Sequence, residues 1–166
     1  MKLKKTMFIG QAMPRAKRNH HDWPTLNNWL HLINISDDQI RQYFYYSALV
    51  AYFPGAKNGS HLVPTAQEIA KEQSRLKRQM FDFKPQVVVS VGKLSAQYCL
   101  QEEKLLLTGV IGNKYVINPY GLLDKELVVI PLPHPSGAST WTHGSANKKL
   151  LTKALKMLKS NIVVEN

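Results

Sequence analysis

The run Val87–Val91, with four valines around one serine, constrains the fold more than any other segment of this chain. Its apolar side chains do not alternate with polar ones, which indicates a strand that protein covers on both faces. Gly92 follows directly, and Lys93–Leu100 then predicts a helix. Strands covered on both faces are typical of parallel sheets packed between helices, so this segment indicates an α/β fold.

Three further apolar or aromatic runs predict strands: Lys5–Ile9, Tyr43–Ala51 and Leu127–Ile130. Each run stops at or shortly before a glycine or proline, as a strand that enters a loop does. Strands and helices alternate along the chain. That alternation predicts a three-layer α/β/α sandwich around a four-stranded parallel sheet.

Apolar residues at helical spacing predict three more helices, with N-cap residues at Thr25, Thr65 and Ser145. The second of these helices has the clearest start, because Glu68 lies three residues after Thr65 and completes a capping box. Residues 105–120 are less clear, and Gly109, Gly112 and Gly121 indicate loops or a small hairpin.

The composition suits one folded domain over residues 1–166, because 44% of the 166 residues are hydrophobic. The single cysteine, Cys99, excludes a disulfide scaffold, a structural zinc site and a four-cysteine iron–sulfur cluster. No apolar run approaches the roughly 20 residues of a membrane-spanning helix. The basic start, Met1–Gly10, lacks the apolar core of a signal peptide. We therefore expect a cytoplasmic protein with no membrane partner.

The charge balance is strongly basic, with 22 Lys and Arg against 11 Asp and Glu, a net charge of +11. A basic surface favours a polyanionic partner, with nucleic acid ahead of an anionic membrane. The alternative is that the charge serves solubility alone, and composition does not decide between the two readings.

Ligand sites of parallel α/β sheets lie beyond the carboxyl ends of the strands, which directs attention to two loops. The loop Gly10–Pro24 begins Gly-Gln-Ala-Met-Pro, and the loop Pro131–Gly144 contains His-Pro-Ser-Gly-Ala-Ser from His134 onward. These segments resemble the two active-site motifs of the uracil-DNA glycosylase superfamily. Its first motif reads Gly-Gln-Asp-Pro-Tyr-His or, in the family with an iron–sulfur cluster, Gly-Glu-Ala-Pro-Gly. The second reads His-Pro-Ser-Pro-Leu-Ser or, in the mismatch-specific family, Asn-Pro-Ser-Gly-Leu-Ser.

The resemblance covers roughly residues 6–158, since the segments between the motifs follow the cluster-bearing family in order and spacing. Because Cys99 alone cannot hold a cluster, the chain looks like a cluster-free relative. The resemblance implies a monofunctional DNA glycosylase of base excision repair. Such an enzyme hydrolyses the N-glycosidic bond of a deaminated, damaged or modified base (uracil, hypoxanthine, xanthine or a modified pyrimidine) that has been flipped out of DNA.

The resemblance also assigns roles to residues. Cleavage leaves negative charge on the base, and His134 occupies the position of the hydrogen-bond donor that stabilises this charge. The family's water-activating positions fall on Gln11 and Ala12, so Asp22 becomes the candidate base, with Gln11 orienting the water. Ser47 stands where relatives carry the Asn that reads the edge of uracil, which implies an altered base selectivity.

The rest of the expected site is a base pocket and a DNA-binding rim. The pocket residues are Gly10, Ala12, Trp23, Tyr46 and Ser47. Trp23 either stacks on the flipped base or packs beneath Pro24. The rim residues are Arg15, Lys17, Arg18, Ser136, Gly137, Ala138, Ser139, Trp141 and Lys148. Since the wedge position of relatives falls on Ala138, Trp141 is the candidate for unstacking the duplex.

The remaining histidines (His20, His21, His31, His61 and His143) are expected at the surface or in caps, because none has metal-ligand spacing. We therefore expect a monomer that acts on DNA without a metal, an iron–sulfur cluster or any other cofactor. Two alternatives remain open. One is a non-catalytic DNA-binding module of the same fold, and the other is an enzyme that processes nucleosides or nucleotides.

Overall fold

The structure is a computed structural model that describes residues 1–13, 23–135 and 140–165. Within these residues the chain forms seven strands: β1 (Thr6–Ala12), β2 (Phe44–Val50), β3 (Ala56–Lys57), β4 (Ser60–His61), β5 (Val87–Val91), β6 (Tyr115–Ile117) and β7 (Leu127–Leu132). It also forms six α-helices: α1 (Pro24–Leu32), α2 (Asp37–Tyr43), α3 (Ala66–Phe83), α4 (Lys93–Leu100), α5 (Leu107–Val110) and α6 (Ser145–Ile162). Two short 3₁₀ turns cover Pro119–Gly121 and Thr140–His143.

The central sheet has the strand order β2-β1-β5-β7-β6. The first four strands run parallel, as predicted, and β6 pairs antiparallel with β7 at the edge. The α/β architecture is thus confirmed, but the prediction of four strands was wrong, because the sheet has five. Tyr115–Ile117 is only three residues long and lies among glycines, so it shows no strand periodicity of its own, and it is held in place by pairing with β7.

The sheet has a hydrophobic cluster on each face, because successive side chains of a strand point to opposite sides. On one face Phe8, Val87 and Val89 pack with residues of α1, α2 and α6. On the other face Met7 and Val88 pack with residues of α3 and α4. The strand Val87–Val91 is buried along its whole length, as its composition predicted.

The helix starts follow the predicted caps in one case of three. Thr65 caps α3, with its Oγ1 accepting from the Glu68 N–H at 3.2 Å and its own N–H donating to Glu68 Oε2 at 2.8 Å. For α1 the N-cap is Trp23 and not Thr25, because Pro24 with its fixed φ takes the first helical position. For α6 the N-cap is Gly144, and the predicted cap Ser145 is the first helical residue.

Helix α2 was not predicted, and it shortens the second predicted strand. Ser36 and Gln39 form a capping box that starts this helix. Tyr43 therefore ends α2, and β2 begins at Phe44. Among the described residues, no helix combines the length and apolar character that crossing a membrane requires.

Candidate functional site

A cavity of about 290 Å³ lies where β1, β2 and β7 end, at the sheet edge that the two-loop prediction indicated. Loops that follow these strands and the start of α1 supply its walls. The lining residues are Gln11, Ala12, Met13, Trp23, Pro24, Thr25, Leu26, Phe53, Pro54, His61, Leu62, His134 and Pro135. Most of these side chains are apolar, and a few polar groups project among them, as in sites that bind a small organic group.

His134 follows β7 by two residues and is half-buried in the wall of the cavity. The N–H of Gly92 donates to the Leu132 carbonyl at 2.8 Å and so joins the ends of β5 and β7. A Cβ at Gly92 would lie 3.5 Å from Cβ and Cδ2 of His134, which means that the imidazole packs directly on the backbone of Gly92. Gly92 also has a φ of 87°, which strains any other residue. The ends of two core strands therefore position this histidine.

The pKa of His134 lies below its usual value of 6.5, first because burial penalises the charged ring and second because His61 contributes positive charge nearby. The neutral imidazole is thus the dominant form at neutral pH. A neutral imidazole keeps one N–H donor, which stabilises negative charge on a neighbouring group without placing a net charge in the cavity.

Trp23 forms the aromatic floor of the cavity, and Tyr46 packs against it from outside the lining. Trp23 is 7% exposed, and its ring meets that of Tyr46 edge to face at a centroid distance of 6.3 Å. Tyr46 Oη donates to Asn27 Oδ1 at 2.6 Å, and burial raises the pKa of the Tyr46 phenol. Gly10 packs beside them, since a Cβ there would lie 3.4 Å from Trp23 Cη2. The floor is therefore closely packed and mostly apolar.

The structure does not bring the Ser47 hydroxyl into this cavity. Because Tyr46 faces α1, the next side chain along β2 faces α3. There Ser47 Oγ donates to Gln79 Oε1 at 2.6 Å and accepts from Arg75 Nη1 at 3.2 Å. Only the main chain of Ser47 approaches the floor, with its carbonyl 3.7 Å from the position of a Cβ at Gly10.

The segment after β2 supplies lining residues that the sequence analysis did not place in the site. Phe53, Pro54, His61 and Leu62 all belong to this segment. His61 is exposed, as expected, yet it lines the same cavity as His134. The available signal was the pair Asn58-Gly59, which is typical of a tight hairpin turn but does not indicate where the hairpin lies.

A comparison with protein families bears on this arrangement. The family model described as "Uracil DNA glycosylase superfamily" matches residues 3–159 of the chain. The chain belongs to the uracil DNA glycosylase superfamily. No curated protein matches it. Membership supports a DNA glycosylase type of function in general, with DNA as the substrate.

Two predicted DNA-binding residues of this superfamily member lie outside the cavity lining. Trp141 is half-buried, packs against the core, and its carbonyl accepts from Asn147 Nδ2 at 2.7 Å. Its Nε1 is buried and has no hydrogen-bond partner among the described residues. Lys148 is exposed in the first turn of α6, shortly after the second motif.

Eight predicted site residues lie outside the described residues: Arg15, Lys17, Arg18, Asp22, Ser136, Gly137, Ala138 and Ser139. Within the part of the chain that the structure describes, no group of three or more His, Cys, Asp or Glu side chains is placed to hold a metal ion.

Proposed function

We propose that the chain is a monofunctional DNA glycosylase that hydrolyses the N-glycosidic bond of a deaminated, damaged or modified base flipped out of DNA. The observation that carries this proposal is the cavity at the strand ends, which combines apolar walls, an aromatic floor at Trp23 and the neutral imidazole of His134. A base is a flat, largely apolar ring with polar edges, and such a ring suits these walls.

In the proposed reaction, a water oxygen forms a bond to C1′ of the sugar while the bond between C1′ and the base nitrogen breaks. The bonding electron pair leaves with the base, which departs as an anion and later takes a proton from solvent. The N–H of His134 stabilises this anion as the charge develops. We assign the orientation of the water to Gln11, the last residue but one of β1 and part of the cavity wall, and the acceptance of its proton to Asp22.

We further propose that the rim grips the DNA backbone. Arg15, Lys17 and Arg18 would neutralise phosphates, and the segment 136–139 would hold the strand on either side of the extruded nucleotide. Trp141 and Lys148 would contact the duplex next to the cavity. Ser47 would shape the pocket through its main chain beside Gly10, since its hydroxyl bonds to residues of α3.

A base panel tests the proposal. The chain is incubated with oligonucleotides that contain uracil, hypoxanthine, xanthine or a modified cytosine, and free base is measured. We expect release of at least one base, and His134→Ala lowers the rate by about 10²–10³-fold, the loss typical of one such donor. His31→Ala is the matched control, because His31 lies on α1 away from the cavity and bonds to Asp37. Intact DNA binding with no release of any base would overturn the proposal.

One observation favours a second candidate, a DNA-binding module without catalysis. No carboxylate lines the cavity among the described residues, and Gln11 in the cavity wall can orient a water but cannot take its proton. Under this alternative, His134→Ala changes DNA affinity only slightly, and no base is released by the unaltered chain.

A further inference from the structure

The hairpin formed by β3 and β4 brings a second histidine to the cavity. Its two central residues, Asn58 and Gly59, have φ angles of 52° and 76°, and positive values at both positions are typical of a type I′ turn. The ladder pairs Ala56 with His61 and Lys57 with Ser60. The N–H of Leu62 donates to the Gly55 carbonyl at 2.9 Å and closes the base of the hairpin.

His61 ends β4 and lines the cavity together with Leu62, which follows it, whereas Ser60 is not part of the lining. The imidazole of His61 meets the ring of Phe53 edge to face, with centroids 5.1 Å apart and an interplanar angle of 86°. Since Phe53 also lines the cavity, this contact orients the His61 ring beside the bound group.

The topology separates the two histidines. His61 follows β2 and His134 follows β7, and β1 and β5 lie between these strands in the sheet. The two imidazoles therefore follow strands that are not neighbours in the sheet, and the end of β1 contributes Gln11, Ala12 and Met13 to the wall. They are close enough that the charge of His61 affects His134.

We propose that His61 is a further catalytic residue, which donates a hydrogen bond to the departing base at a carbonyl oxygen other than the one that His134 binds. This inference rests on the proposed glycosylase function. The electron pair that leaves with the base spreads onto its carbonyl oxygens, so two N–H donors at two oxygens stabilise the anion better than one. No proton is transferred in this step, because each imidazole only donates a hydrogen bond.

The arrangement narrows the substrate class to bases that carry ring carbonyl groups, and most strongly to those with two. Uracil and xanthine each have two such oxygens, and hypoxanthine has one. His61 should therefore matter for the first two bases and much less for the third. A loss of general pocket structure would lower the release of all three bases alike.

The test measures single-turnover release of uracil, xanthine and hypoxanthine from oligonucleotides, both at saturating enzyme and across an enzyme titration. We expect His61→Ala to lower the saturating rate by at least about 10-fold for uracil and xanthine, and by less than about 3-fold for hypoxanthine. The loss is smaller than the 10²–10³-fold of a buried donor because His61 is exposed. The enzyme concentration at half-saturation should change little.

Two variants complete the design. His61→Gln keeps an N–H donor and should restore most of the rate for uracil and xanthine, whereas Ser60→Ala, on the opposite face of the same strand, should leave all three rates unchanged. Equal losses for the three bases in His61→Ala, no loss in that variant, or release of hypoxanthine alone by the unaltered chain would each overturn the role of His61. Failure of the unaltered chain to release any base would instead overturn the proposed function itself.

Discussion

Replacing Gly92 by alanine perturbs the backbone on which His134 packs. Gly92 has φ 87° and ψ 168°, a region of backbone conformation that is essentially restricted to glycine. Its N–H donates to Leu132, so the residue cannot move without breaking the bond that joins β5 to β7. Alanine must therefore either keep a strained conformation or shift the start of α4 and the imidazole that packs on it.

The size of the effect follows from the backbone and not from a steric clash. The added Cβ would lie 3.5 Å from two atoms of His134, which is ordinary van der Waals contact. The strain of the conformation remains and costs on the order of 1–3 kcal/mol. We expect Gly92→Ala to lower the free energy of unfolding by about 2 kcal/mol, which corresponds to a fall in Tm of roughly 4–8 °C for a domain of this size.

The same substitution should lower base release by about 10-fold or more, because a displaced His134 no longer meets the base in its productive geometry. Thermal unfolding followed by circular dichroism measures the first effect, and single-turnover release measures the second. The control is Gly109→Ala in α5, where φ is not in the left-handed region and a Cβ meets nothing within 4 Å. We expect that variant to be neutral or more stable by up to about 1 kcal/mol. An unchanged Tm and rate in Gly92→Ala would refute the reasoning.

Three further outcomes are expected. Folding lowers the pKa of His134, so the unfolded chain binds more protons than the folded chain does. The stability that this group contributes is therefore present above about pH 6.5 and is lost as the pH falls through the pKa of the folded state. Denaturant unfolding between pH 7.5 and 5 should thus show a weaker pH dependence in His134→Gln. Lys148→Ala should reduce the log–log salt slope of DNA binding by up to about 0.9, the value for one phosphate contact, whereas Lys77→Ala on α3 should not. Arg75→Lys should cost about 2–4 kcal/mol of stability, because the guanidinium bonds at once to Glu72 and to main-chain carbonyls of β2 and an ammonium cannot reproduce that geometry.

Each of these expectations has a contrary result. Identical pH dependence in His134→Gln and the unaltered chain would contradict the lowered pKa. Equal salt slopes for Lys148→Ala and Lys77→Ala would mean that Lys148 contacts no phosphate. A fully stable Arg75→Lys variant would mean that the contacts of Arg75 do not hold the end of β2.

Local patterns predicted much of the scaffold. Val87–Val91 is buried from end to end, and Thr65 with Glu68 caps α3, because each of these features depends on residues near one another in sequence. The edge strand Tyr115–Ile117 was missed, because three residues are too few to show an alternation of apolar and polar side chains. The strand forms by pairing with β7, which no pattern within those three residues indicates. The start of β2 was misplaced because α2, which begins after the capping box at Ser36, continues to Tyr43, the first residue of the aromatic run.

The site was predictable only where a strand end leads directly into it. Gln11 and His134 line the cavity as the order of strands implied. The side chain of Ser47 is directed away from it by the alternation along β2, which the position of Tyr46 determines. His61 belongs to a hairpin of two-residue strands and lines the cavity. No pattern in the sequence predicts where such a short hairpin lies relative to the sheet.

The distribution of charge indicates that different residues serve DNA binding and base release. The described lining contains no lysine, arginine, aspartate or glutamate, although the chain has a net charge of +11. Burial in an apolar cavity penalises charged groups, and it is the first cause of the lowered pKa of His134. In the proposed mechanism, cations at the surface strengthen the attraction to phosphates without entering the cavity, and the N–H of His134 inside it acts on the departing base. Affinity for DNA should therefore depend on salt, whereas the saturating rate of base release should not, and Lys148→Ala and His134→Ala should each change only one of these two quantities.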